Sequence, residues 1–129
     1  MGDIGNPKKE SYQDFIWEQS ERFRHVLVVS GNHEYYSNEI SEADKLISEI
    51  CSKKPNVKYL NASTFEYKNV IFVGCTLWSN VTEDKKVMIM NFLNDYRLIT
   101  TKIDDKIHTM YLFQIPSILL QRFQIFLIN

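Results

Sequence analysis

The segment Val26-Leu27-Val28-Val29-Ser30-Gly31-Asn32-His33-Glu34-Tyr35-Tyr36 runs from four strand-type apolar residues straight into a glycine-led polar turn. Strands buried on both faces read as unbroken apolar, β-branched runs. Ligands of open α/β sheets sit just beyond the strands' carboxyl ends. The sequence therefore predicts a buried parallel strand that presents Asn32 and His33 at a sheet edge. Gly31 permits a sharp turn there and leaves room for a close approach. On these residues alone, a strand with a polar turn and an incidental histidine is an equal alternative.

A second motif lies upstream. The chain opens Met1-Gly2-Asp3-Ile4-Gly5-Asn6-Pro7, and Asp3 precedes Asn32 by 29 residues. That interval is close to one βαβ unit of roughly 30 residues. Between the motifs, Ser11 and Asp14 make a capping-box-like start. Tyr12, Phe15, Ile16 and Phe23 then follow at helical spacing. Two parallel strands joined by that helix would set Asp3 beside Asn32. A carboxylate, an amide oxygen and an imidazole meeting there suit a divalent cation and a proton donor.

With both motifs in view, the chain resembles the calcineurin-like metallophosphoesterase superfamily. That family carries Asp-x-His, Gly-Asp, Gly-Asn-His-Glu/Asp, a lone His and Gly-His-x-His, in that order. Gly2-Asp3 and Gly31-Asn32-His33-Glu34 match the second and third. Gly74-Cys75-Thr76-Leu77-Trp78-Ser79 and Asp95-Tyr96-Arg97 look like segments of one small branch of it. The resemblance covers about residues 2–108 and implies an α/β fold, a partial phosphoesterase sandwich of mixed sheets flanked by helices. It further implies metal-dependent hydrolysis of a phosphoester substrate, with two divalent ions (Mn, Fe or Zn) in the complete site. Asp3 would bridge the two metals. Asn32 would ligate the second metal and face substrate, and His33 would act near the leaving group with Glu34 supporting it.

No Asp-x-His precedes Gly2 and no Gly-His-x-His follows; the histidines are His25, His33 and His108. Residues 1–108 are thus expected to be a partial metallophosphoesterase domain. Residues 109–129 form an apolar tail without Asp, Glu, Lys or Gly. The tail reads either as the foreign end of a truncated gene product or as a helix on an exposed sheet face. The alternative to a hydrolase is an inactive remnant that binds a partner through an exposed sheet edge or the tail. For the isolated chain, weak or no activity is expected.

Bulk properties narrow the class. A chain of 129 residues has room for one domain and a modest core. Net charge is −1 with Lys and Arg scattered, so nothing points to nucleic acid or an anionic membrane. Cys51 and Cys75 form no CxxC and no secretory signal is present, which suits a cytoplasmic setting. Gln114, Pro116, Gln121, Arg122 and Gln124 make the tail too polar to span a membrane.

Elsewhere the patterns predict a helix over Asn38–Lys54, a strand over Val57–Leu60, and a further helix from Thr82 to about Leu93. Thr64–Tyr67 and Val70–Thr76 should pair as a hairpin around Lys68-Asn69. Cys75, Trp17 and Trp78 are assigned to the core, His25 to a helix-to-strand junction, and His108 to a helix. Asp104-Asp105 reads as a solvated turn rather than a paired-carboxylate site. Tyr35 and Tyr36 either border a substrate pocket or pack partly in the core.

Overall fold

The structure, a computed structural model, describes residues 2–78 and 81–109, apart from the side chain of Glu83. Its first layer is the helix α1 (Glu10–Arg22) packed on β1 (Val26–Val28). The helix α2 (Ile40–Ser52) then leads to β3 (Val57–Tyr59), which lies parallel to β1 with Val26 opposite Val57. Tyr12 and Ile16 of α1 and Ile47, Ile50 and Cys51 of α2 close over Val26, Val28 and Val57 as one buried cluster. The apolar residues of α2 recur every three or four positions, which gives it a single core-facing stripe. Ile47 is fully buried, and its truncation to Ala would cost about 2–5 kcal/mol.

The predicted helix over Asn38–Lys54 starts two residues later than expected. Asn38 and Glu39 form the short strand β2, and Glu39 then caps α2 by accepting the Glu42 N–H at 2.9 Å. An N-cap residue must be non-helical while its side chain accepts from the first turn. Glu39 meets both conditions, with φ −82° and ψ 136°.

β4 (Ser63–Tyr67) and β5 (Val70–Gly74) pair antiparallel about Lys68 and Asn69, as the sequence predicts. Both turn residues have left-handed backbone (φ 49° and 62°), the geometry that follows the natural strand twist in two-residue hairpins. The helices α3 (Glu83–Phe92) and α4 (Asp95–Leu98) precede β6 (Ile99–Ile103) and β7 (Lys106–Thr109). β6 runs parallel to β2 and antiparallel to β7, giving the order β2-β6-β7. A second buried cluster joins Tyr35, Ala43, Tyr96 and Ile99. The expected α/β class holds, as small sheets with parallel pairs beside helices.

Two expectations are corrected. His108 lies in β7, not in a helix, because Asp104 and Asp105 both adopt left-handed φ (48° and 61°) and fold the chain back as a hairpin. Those two aspartates are exposed, as expected of a solvated turn. Residues 2–6 form no strand: Asp3 (φ 54°) and Gly5 (φ 140°) break the extended backbone. Asp3 therefore reaches Asn32 from a loop and not from a strand end.

His25 sits between α1 and β1 as expected and meets the Tyr67 ring in a tilted arrangement, with ring centroids 4.7 Å apart. Trp17 and Trp78 pack partly buried against the first and second clusters, and Cys75 is half-buried. The tail assigned to residues 109–129 lies, from Met110 on, outside the described residues. Among the described residues no helix is long and apolar enough to cross a membrane.

Candidate functional site

Beyond Val28 the chain leaves the sheet through Ser30 and Gly31 and enters a single 3-10 turn, His33–Tyr35. That turn drives Glu34 into the interior, where it is fully buried. Oε1 of Glu34 accepts the N–H of Ile4 at 2.6 Å and of Gly5 at 3.4 Å. Oε2 accepts the N–H of Gly31 at 2.8 Å and of Asp3 at 3.1 Å. A buried carboxylate is costly unless its lone pairs are met, and four backbone donors meet them here. Glu34, expected to support His33, thus fastens the Gly2–Asn6 loop to the end of β1.

The fastening brings Asp3 onto the turn. Its Oδ1 accepts the His33 backbone N–H at 3.3 Å and stands 3.9 Å from His33 Nδ1. A Cβ on Gly31 would lie 1.9 Å from the same oxygen, so the close approach that this glycine permits is made by Asp3. The His33 side chain is 55% exposed and meets the Tyr36 ring edge-on at 4.8 Å.

Asn32 is held from the far side. Its Nδ2 donates to Asp95 Oδ1 at 2.9 Å and to the Tyr36 hydroxyl at 3.3 Å. The Tyr36 hydroxyl itself donates to Asp95 Oδ1 at 2.6 Å. That bond, with partial burial and the nearby charge, pushes the Tyr36 phenol up to about 12. Asp95 opens α4, and α4 reaches the site because β6 pairs with β2 directly after it.

Asp3, Gly31, Asn32, Thr76, Trp78 and Asp95 help line one cavity of about 480 Å³. Its described lining includes two carboxylates and no Lys, Arg or His. Beneath it, Ser30 Oγ donates to the Tyr59 hydroxyl at 2.6 Å, and Tyr59 donates to Asp44 Oδ1 at 2.6 Å. Tyr35 donates to the same oxygen at 2.8 Å, and Thr76 donates to the Ser30 carbonyl at 2.7 Å. Burial and the Asp44 charge raise both the Tyr35 and Tyr59 phenols, so both remain neutral donors at ordinary pH. This network fixes the cavity floor.

The predicted residues Asp3, Asn32 and His33 are therefore adjacent, with Glu34 beneath them. Tyr36 borders the site and Tyr35 is core. Sequence patterns alone give no signal for Ser30, Asp44 and Tyr59, since their partners come from separate elements. As donors, Asp3 and Asn32 fit part of the oxygen-rich shell of a divalent cation. Among the described residues, no three His, Cys, Asp or Glu side chains gather in a metal-holding group.

A protein of Acanthamoeba polyphaga mimivirus, titled as uncharacterized, is 36% identical over 110 residues, covering 81% of this chain and 39% of the viral protein. The chain thus spans about two fifths of that relative's length. No protein-family model matches the chain, and no solved structure is significantly similar to it.

Proposed function

We propose that the chain is part of the catalytic domain of a calcineurin-like metallophosphoesterase and serves the metal-dependent hydrolysis of a phosphoester bond. One observation carries this reading: Asp3 Oδ1 lies 3.3 Å from the His33 amide, so two short motifs 30 residues apart meet at one cavity. Asp3 and Asn32 would hold the divalent ions, Mn, Fe or Zn, which when bound polarise the phosphoester and acidify the attacking water. A cavity with two carboxylates and no described cation repels an anionic ester, which is why the reading needs positive charge there. Asn32 contributes a neutral oxygen and limits the negative charge of the pocket.

His33 has the remaining role. Its exposed imidazole is placed to deliver a proton to a departing alkoxide as a general acid. Asp3 orients it through the backbone and ring contacts, and Glu34 keeps Asp3 in place. With Asp3 and Asn32 as the metal-holding donors and no three-ligand group among the described residues, the isolated chain holds metal weakly and turns over slowly. Both cysteines are free, which fits a cytoplasmic setting.

A second reading, an inactive module that binds a partner, is favoured by β5, where Ile71 is 64% and Val73 61% exposed. Hydrolysis of phosphate esters in MnCl2, by this chain and by the longer mimivirus relative, separates the two readings. Metal-dependent turnover is expected, faster in the longer protein. His33→Gln should slow esters with poor leaving groups by about 10²–10⁴-fold and activated aryl esters less. No turnover by either protein would favour the binding module.

A further inference from the structure

Asp95 lies 63 residues from Asn32 in sequence, yet its Oδ1 accepts from both Asn32 Nδ2 and the Tyr36 hydroxyl. An amide is planar, so a side chain whose nitrogen is pinned has its oxygen turned the opposite way. Among the described residues Asn32 Oδ1 accepts no hydrogen bond. An asparagine without such a pin interchanges its oxygen and nitrogen by rotation about its last bond, at little cost. The pin here is charge-assisted, the stronger kind, and the Tyr36 donor steadies the carboxylate that provides it.

We propose that Asp95 is a positioning residue: it selects the one orientation of Asn32 in which the amide oxygen, and not the amide nitrogen, is offered to a cation in the cavity. The role in metal binding rests on the phosphoesterase reading above; the selection of the amide orientation does not. Asp95 itself stays in contact with Asn32 and Tyr36 and acts through them. Its distance in sequence explains the architecture. The pairing of β6 with β2 returns α4 to the turn after β1, so the chain following the hairpin closes the site that the chain before it opened.

The test is nuclear magnetic resonance of the whole chain, following the Asn32 side-chain amide without metal and then its broadening by Mn²⁺ alone. In the wild type the amide protons should exchange slowly. Asp95→Leu should speed that exchange about tenfold or more while the backbone spectrum stays folded. It should also weaken the Mn²⁺ effect at Asn32 about 10–100-fold, the range for losing an outer partner of a metal ligand. Asp95→Asn keeps an acceptor oxygen and should restore both readouts, which a merely structural role would not produce.

An Asn32 amide that is unchanged in Asp95→Leu overturns the proposal. So does an amide that is freed with no loss of Mn²⁺ broadening. If Mn²⁺ leaves the wild-type Asn32 untouched while the amide still responds to Asp95→Leu, the orientation claim stands and the metal reading fails. Should Asp95→Leu not fold, Tyr36→Phe and the wild type decide. Free exchange of the wild-type amide overturns the pin, and slow exchange that quickens partly in Tyr36→Phe supports it.

Discussion

The carboxylate of Glu34 accepts the backbone N–H of Ile4 at 2.6 Å across 30 residues of sequence, the shortest of the three bonds that tie the Gly2–Asn6 loop to the turn after β1. Glu34→Gln keeps the shape but replaces one acceptor oxygen with an amide nitrogen facing N–H donors. The loss should be on the order of 3 kcal/mol, since bonds to a charged acceptor contribute about 1.5–3 kcal/mol each. Urea unfolding measures it; a change under about 0.5 kcal/mol would show that the loop is held by something else.

Gly31→Ala places a methyl where Asp3 Oδ1 now sits, at 1.9 Å. Overpacking of this kind typically costs about 1–3 kcal/mol. Asp3 must swing away, so the amide resonances of Asp3 and His33 should shift together. Unmoved resonances would mean that the two segments are not in contact in solution.

Cys51 is 2% exposed, and burial pushes its thiol from about 9 up to about 12. A folded value above the unfolded one means that the folded state binds the proton more tightly. The associated stability is intact below pH 9 and is lost as pH climbs from 9 toward 12. At pH 8, Cys51 should react with a thiol reagent only as fast as the chain opens. Labelling at the rate of a free thiol would contradict the packing of α2 on β1.

On β5, Ile71 and Val73 sit in a two-stranded hairpin with no further strand paired to it among the described residues. Apolar strands of this kind promote association. Ile71→Lys should raise solubility and leave stability within about 0.5 kcal/mol, as for other exposed positions. A loss of about 2 kcal/mol or more would mean that the face is covered.

The elements legible in the sequence were those written in local chemistry. The apolar stripe of α2 and the Lys68-Asn69 turn each carry their own signal, and both formed where expected. β2 is two residues long and exists through its pairing with β6, a relation that no local pattern records. His108 lies in a strand and not in the expected helix because β7 exists through its pairing with β6 across the Asp104-Asp105 turn, a relation that the residues around His108 do not record. The meeting of Asp3 with Asn32 and His33 was foreseeable, but its cause was not. It arises from Glu34, whose charge suggests solvent and whose partners are backbone amides far upstream. Asp95 was visible as part of a family-like segment and silent about Asn32.

The most direct test of the central claim is a titration of the chain with Mn²⁺, read as paramagnetic broadening of its backbone amides. Broadening should centre on Asp3 and Asn32, saturate only at high metal concentration, diminish strongly in Asp3→Asn and persist in His33→Gln. Broadening centred elsewhere, or equal in the wild type and Asp3→Asn, would contradict a metal-holding role for this cavity.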